Sequence, residues 1–269
     1  MLTIAGSDSG GGAGIQADLR TFHAFNVYGC SAITAVTAQN PNEVRRVDVL
    51  PCEAVSAQVE SVLAEFPVRF VKTGMLATGK TVEVVAKITL EHSLELVVDP
   101  VMVSTSGVRL LEDSSISVMC EHLLPLAKWI TPNIPEAGLI CGVKLETASD
   151  LADAALHLHR KYGCNVIIKC GHLPNLKIAS DVVCFQGKLY CLSSPFVKVA
   201  GNTAHGTGCT LSSAVAANLA AGRSWQETVV ASKAFVYGSI LEKVRLNDNL
   251  FQMYPPSEGY TSQVTLEEY

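Results

Sequence analysis

Short apolar runs alternate with amphipathic stretches along nearly the whole chain, and that alternation predicts strand and helix in turn. Residues 2–4 read as a strand that breaks at Gly6-Ser-Asp-Ser-Gly-Gly-Gly-Ala-Gly14. A helix follows over 15–25, with Ile15, Leu19 and Phe22 at roughly helical spacing, and Tyr28-Gly29 turns the chain. The near-continuous apolar run 30–38 predicts a strand buried on both faces and ends in Gln39-Asn40. Helix is expected over 53–64, strand over 68–72, helix over 82–88 and strand over 94–99. A helix lies within 111–125, a short strand at 129–130, and another helix opens at Thr131-Pro-Asn-Ile-Pro-Glu136, where proline suits a first turn. Residues 147–162 are amphipathic, 165–169 apolar, and 181–185 with 188–192 form a hairpin about Gln186-Gly187. Leu211 opens a helix of small residues that stops at Gly222, and Ser224-x-x-Glu227 is a capping box for a last long helix to about Val244. No linker or repeat interrupts the series. It predicts one α/β domain over 1–246, with a mainly parallel central sheet and helices on both faces. The polar, proline-marked stretch 247–269 is expected to be a loose C-terminal tail.

Composition narrows the picture. The 269 residues are 48% hydrophobic and 17% charged, which supports a sizeable core and argues against disorder. A formal charge of −5, with no Lys/Arg run, speaks against nucleic acid as a partner. Nine cysteines contain no C-x-x-C pair, and an odd total suits reduced thiols better than a disulfide framework. With no signal-peptide pattern and no membrane-length apolar run, a cytoplasmic protein is expected.

The chemistry gathers at Gly201-Asn-Thr-Ala-His-Gly-Thr-Gly-Cys-Thr210. Gly206 and Gly208 let backbone amides approach a ligand, and the first turn of the following helix offers unpaired N–H groups and partial positive charge to a phosphate. Cys209 at that end is a candidate base with a lowered pKa, although cysteine also packs helix starts as a small hydrophobe. The strand–glycine loop–helix at 2–25 is a second setting for a phosphate or small polar ligand, and without an acid closing the next strand it is not a dinucleotide fingerprint. Gln39, at a strand's carboxyl end, can donate and accept towards an aminopyrimidine-like ring, or merely cap a turn. Gly74-Met-Leu-Ala-Thr-Gly-Lys-Thr81 matches the Walker A pattern, with 94–99 able to serve as the acid-ending strand. Its position on the third strand counts against a true P-loop. Asp99 is a candidate outer partner for Mg²⁺. Asn133 and Glu136, three apart, would face the same way and hold the ion near a triphosphate, or Glu136 is an ordinary acid at a helix start. Lys169 ends a strand where it would meet a nucleotide phosphate, whereas His157 and His159 face apart and make no metal pair.

In order, Leu2-Thr-Ile-Ala-Gly-Ser-Asp8, Gly11-Gly-Ala-Gly-Ile-Gln-Ala-Asp-Leu19, Ile33-Thr-Ala-Val-Thr-Ala-Gln-Asn40, Lys72-Thr-Gly-Met-Leu76, Asp99-Pro-Val-Met-Val103, Thr131-Pro-Asn133 with Pro135-Glu136, and His205-Gly-Thr-Gly-Cys-Thr-Leu211 resemble the hydroxymethylpyrimidine/phosphomethylpyrimidine kinases of thiamine synthesis, of the ribokinase-like superfamily. The resemblance implies an ATP- and Mg²⁺-dependent kinase acting on a pyrimidine alcohol and its phosphate, with no nucleic-acid or membrane partner, and leaves a homodimer open. It implies a pyrimidine near Gly6 and Ala13, bound by Gln39 and packed by Met75, with Val101 nearby. It places the transferring phosphate at Gly206, Thr207 and Gly208 and a base at Cys209. Asn133 and Lys169 fall on the nucleotide side, and Asp99 and Glu136 on the metal side. Val108 and Ala204 depart from the family's usual Asp and Thr, and the tail lacks its glycine-rich ending. A pyridoxal kinase of the same architecture, a P-loop NTPase using 74–81 and a non-catalytic pyrimidine-binding protein are the competing readings.

Overall fold

The computed structural model describes residues 1–102, 113–171, 178–198, 205–248 and 250–269; Val108 and Ala204 lie outside them. In chain order the elements are β1 (Leu2–Asp8), α1 (Gly14–Ala24), β2 (Cys30–Gln39), β3 (Val44–Val49), α2 (Cys52–Glu65), β4 (Phe70–Thr73), α3 (Gly79–Glu91) and β5 (Glu95–Val98). Then come α4 (Asp113–Val118), running into a π-helical turn, β6 (Ala127–Ile130), α5 (Ile134–Cys141), α6 (Ala148–Tyr162), β7 (Asn165–Ile168), β8 (Ile178–Phe185) and β9 (Lys188–Pro195). The chain closes with α7 (Thr207–Ala220), α8 (Trp225–Leu241), β10 (Val244–Asn247), β11 (Leu250–Gln252) and β12 (Thr265–Glu268).

Ten strands make one sheet in the order β12-β9-β8-β7-β6-β5-β4-β1-β2-β3. The six from β7 to β2 run parallel, and the outer strands are antiparallel. The central strands are short apolar runs because both faces are covered. Val71, Val97, Val98, Val166, Ile167 and Ile168 are fully buried, each contributing about 1.5–3 kcal/mol of apolar burial. One core packs α2, α3, α5 and α6 against one face of the sheet, and a second packs α7 and α8 against the other, with α1 beside α7. Among the described residues no helix is long and apolar enough to cross a membrane.

The caps follow from the sequence. Asn133, Thr147 and Ser224 each accept from the N3 backbone of their helices and receive the reciprocal carboxylate bond. Two expectations change, and one strand is additional to them. The first strand does not end at Ile4; it continues to Asp8 through a register shift between Ala5 and Ser7, which keeps Gly6 in the sheet. The stretch Val44-Arg-Arg-Val-Asp-Val49 is an edge strand, its charged residues suited to an exposed edge. The stretch expected to be a loose tail is not loose, since β12 pairs with β9 over four residues.

Candidate active site

All the parallel strands deliver their carboxyl ends to one rim of the sheet, where ligands of open α/β sheets collect. Asp8, Gly74, Asp99, Asn133 and Lys169 leave the sheet there and line one cavity of about 530 Å³. The start of α7 closes it. Gly206 is the N-cap with φ +87°, and a Cβ on it would lie 1.8 Å from the Gly12 carbonyl oxygen, so only glycine lets the two glycine-bearing loops touch. No acid occupies the first turn of α7, and its positive end faces the cavity through Thr207, Gly208 and Cys209. A Cβ on Gly208 would sit 3.0 Å from Lys169 Nζ, which sets the glycine backbone hard against a cation.

Beneath that turn lie two buried lysine–aspartate pairs, pinned by consecutive serines of α7. Ser212 Oγ lies 3.2 Å from Asp99 Oδ2 and shares its one proton among that oxygen and the Gly208 and Cys209 carbonyl oxygens at 3.1 and 3.0 Å, and Lys169 Nζ donates to Asp99 Oδ1 at 2.7 Å. Ser213 Oγ donates to Asp18 Oδ1 at 2.6 Å, Thr3 Oγ1 donates to Oδ2 at 2.6 Å, and Lys72 Nζ reaches both carboxylate oxygens at 2.8 and 2.9 Å. Burial alone would lower both lysines. The facing charges win, Asp18 for Lys72 and Asp99 with Glu136 for Lys169, and hold both above the ordinary lysine value. A third pair lines the far end of the cavity, where Lys233 Nζ donates to Asp181 Oδ2 at 2.7 Å and the Cys170 N–H donates to Oδ1 at 2.8 Å.

Cys209 is where the sequence expectation of a lowered pKa is corrected. The half-buried thiol is pushed up to about 11, first by burial, with Asp18 and Asp99 adding to the rise and Lys72 and a backbone N–H of Gly14 opposing it. Burial of the thiol outweighs Lys72 and the Gly14 N–H, and the two carboxylates beneath the helix start add to the rise.

At the opposite end of the cavity Gly6, Ala13, Gln39, Met75 and Val101 come together. Met75 and Val101 make the apolar wall, and Ala35, Ala77 and Val47 pack with them in one small cluster. A Cβ on Gly6 would meet Met75 Sδ at 3.4 Å. His205, absent from the sequence-derived site, lies between Asp8 Oδ2 at 3.1 Å and the Gln39 amide at 3.2 Å. Burial works against the Asp8 carboxylate, but His205 and the N–H groups of Ala13 and Gly10 hold it below the usual carboxylate range.

Asn133 and Glu136 do face the same way, but first as each other's cap: Asn133 Oδ1 accepts from the Glu136 N–H at 2.9 Å, and Glu136 Oε2 accepts from the Asn133 N–H at 2.8 Å. Glu136 is pushed up to about 7 by burial, with Lys169 opposing and Asp99 reinforcing the rise. Asp99 and Glu136 thus share one lysine, which leaves a carboxylate charge short of a partner. That donor set fits Mg²⁺ held in its usual way, by one or two carboxylates while waters and phosphate oxygens complete the octahedron. Among the described residues no three His, Cys, Asp or Glu side chains converge as a cage. The Walker-like turn meets the cavity with Gly74 and Met75 alone, and its Gly-Lys-Thr end lies away from it. Thr78 caps α3 by accepting from the Thr81 N–H, and Lys80 is exposed and outside the cavity lining.

Asp18 and Lys72 carried a signal in the sequence. Asp18 lies on the Ile15–Phe22 face of an amphipathic helix, and Lys72 interrupts a buried apolar strand. A charge in such a place needs a buried partner. His205 carried none beyond its neighbour Gly206.

Residues 8–253 match the family described as phosphomethylpyrimidine kinase. The chain is 48% identical over 239 residues to the thiamine biosynthetic bifunctional enzyme TH1, chloroplastic, of Arabidopsis thaliana. That match takes in 88% of this chain and 45% of the relative, so the chain spans about half of that protein's length. It is 43% identical over 246 residues to the hydroxymethylpyrimidine/phosphomethylpyrimidine kinase of Rhizobium meliloti, covering 91% of each. Among solved structures, the pyridoxal kinase from Staphylococcus aureus in complex with AMP-PCP and pyridoxal superposes with a TM-score of 0.86. It is 33% identical and covers 100% of this chain and 98% of its own.

Proposed function

The chain belongs to the phosphomethylpyrimidine kinase family, with its ribokinase-like α/β fold, and on that premise we propose that it transfers the terminal phosphoryl group of ATP to 4-amino-5-hydroxymethyl-2-methylpyrimidine and then to the monophosphate, in thiamine biosynthesis. The observation that carries this reading is the single cavity. An apolar wall and an amide, at Met75, Val101 and Gln39, lie at one end, the positive start of α7 with Lys169 lies between, and the Lys233–Asp181 pair lies at the other. A phosphoryl group passing through a loose transition state needs chiefly position and charge stabilisation. The N–H groups of Thr207, Gly208 and Cys209 and the Lys169 ammonium are fixed before any ligand arrives. Asp99 and Glu136 would hold Mg²⁺, which when bound with the nucleotide neutralises phosphate charge.

In this reading Cys209 takes the proton of the substrate hydroxyl. As a base it works from its thiolate fraction, which burial first, then Asp18 and Asp99, reduce and Lys72 enlarges. The transfer rate therefore climbs as pH rises above neutrality towards the thiol's value, whereas a flat profile from pH 7 to 10 would rule out Cys209 as the base. Cys209→Ala is expected to lower kcat by about 10²-fold or more, in the range of a lost general base, while Lys80→Ala stays within about twofold. The reverse order would favour the P-loop reading.

Release of ADP, coupled to NADH oxidation, with the aminopyrimidine as acceptor and with Mg²⁺ present or withheld, tests the proposal. Binding of the pyrimidine without ADP release would instead describe a non-catalytic binding protein. Pyridoxal is the second acceptor to run, because the pyridoxal kinase superposes over the whole chain. The polar Gln39 in the cavity favours the aminopyrimidine, and faster turnover of pyridoxal would overturn that choice.

A further inference from the structure

Gln39 is held between Thr37 and His205, each of which also faces an obligate acceptor. Thr37 Oγ1 lies 3.0 Å from the Ser7 carbonyl oxygen and 3.2 Å from one end of the Gln39 amide. A hydroxyl has one proton, and a carbonyl only accepts, so the proton goes to Ser7 and Thr37 offers Gln39 a lone pair. At the other end His205 Nε2 lies 3.1 Å from Asp8 Oδ2 and 3.2 Å from the amide. The Asp8 carboxylate also accepts from the N–H groups of Gly10 at 2.8 Å and Ala13 at 2.9 Å, which favours its ionised form. An ionised carboxylate only accepts, so Nε2 carries a proton, which Asp8 Oδ2 and the Gln39 amide share, and only the amide's oxygen can take part in that sharing. The structure sets Gln39 Oε1 towards Thr37 and its Nε2 towards His205; the two ends, argued separately, select the reverse sense of the amide, NH₂ towards Thr37 and carbonyl oxygen towards His205. The half-turn that exchanges them would set lone pair against lone pair at one end and donor against donor at the other.

We propose that His205, aligned by Asp8, is a specificity-determining positioning residue that fixes the sense of the Gln39 amide. In that sense one N–H and one carbonyl lone pair remain for the cavity, side by side. Their complement is a ring nitrogen next to an exocyclic amine. A ring without that amine leaves the carbonyl unpaired, and a site built to hydrogen-bond rejects a ligand lacking the partner. His205 also packs over Gly12, where an added Cβ would meet its ring at 2.5 Å, and it directly precedes Gly206. Pyrimidine recognition and the phosphate turn are thereby held in register by one side chain. The inference rests on the aminopyrimidine reading of the substrate.

The test has two arms. In ¹⁵N-labelled, ligand-free protein, long-range proton–nitrogen correlation is expected to show His205 protonated at Nε2; a neutral ring protonated only at Nδ1 would overturn the proposal. In steady-state kinetics, His205→Phe is expected to raise KM for the pyrimidine about 10–100-fold with KM for ATP within about threefold. His205→Gln, whose amide can donate to both neighbours, recovers most of that loss. In a Gln39→Leu background, His205→Phe adds no more than about twofold, because the group it orients is gone. Equal KM effects in both backgrounds, or a loss confined to kcat, overturn the proposal. If the unmodified enzyme releases no ADP with the pyrimidine, it is the substrate reading that fails, and the nitrogen spectrum still decides the amide's sense.

Discussion

The thiol of Cys209 and the carboxyl of Glu136 are both displaced upwards by burial, in each case with one lysine opposing and at least one aspartate adding to the rise. Each displacement has a measurable sign. At pH 8 a thiol at about 11 is roughly 100-fold poorer in thiolate than one at the ordinary 9.0, so Cys209 should react with iodoacetamide about 100-fold more slowly than a free thiol. Peptide mapping by mass spectrometry after timed alkylation checks this, and Lys72→Met should slow the reaction further. For Glu136 the folded chain keeps a proton between about 4.5 and 7 that the unfolded chain has already lost. Stability of the ligand-free protein therefore falls as pH rises through that window, by about 3 kcal/mol at most. Thermal midpoints across pH 4–8 should slope in the native chain and flatten in Glu136→Gln. At this scale the sequence displayed the residue types but not the balance. Cys209 at a glycine-led helix start was legible, whereas the burial that reverses its expected shift, and the two aspartates that add to it, come from packing with α1 and the end of β5, remote in the chain.

The first turns of α7 act as a clamp rather than as a glycine turn alone. Gly206, Gly208 and Cys209 face the cavity, while Ser212 and Ser213, about one turn on, meet the Asp99–Lys169 and Asp18–Lys72 pairs that carry β5, β7, α1 and β4 into it. Losing one partner of a buried pair strands the other's charge, which costs about 3–5 kcal/mol. Lys72→Met should therefore destabilise the fold by that amount in urea titration, whereas Ser213→Ala should cost about 1–2 kcal/mol, the scale of one hydrogen bond to a charge. Equal losses from the two would show that Asp18 is carried by its serine rather than by its lysine. The elements themselves were largely readable, because short apolar strands and capped helices announce themselves within ten residues. β3 escaped that reading: its valines alternate with charges chosen for an open edge, and it gains its pairing from β2.

The sheet must end somewhere on both sides, and both ends are charged: Arg45, Arg46 and Asp48 on β3, Glu267 and Glu268 on β12. Without β12 the edge would fall on β9, whose partner registers from Thr265 opposite Ser193 to Glu268 opposite Tyr190 would be left open. The same segment buries Val264 in the second core. Further back, Tyr260 donates to Glu242 at 2.8 Å, and Gln252 reaches Gly12 in the first glycine loop. Composition marks residues 247–269 as polar and loose, because their contacts are made with elements more than fifty residues away as well as with α8. Removing residues 261–269 is expected to expose the β9 edge and the space left by Val264, a loss of several kcal/mol against a typical net stability of about 5–15 kcal/mol. The truncated chain should unfold at lower temperature and self-associate with rising concentration, since an open edge strand offers unpaired N–H and C=O groups to another copy. Thermal scans and light scattering over a concentration series measure both effects. An unchanged midpoint with no association would mean that β9 tolerates exposure and that the sheet is complete without its last strand.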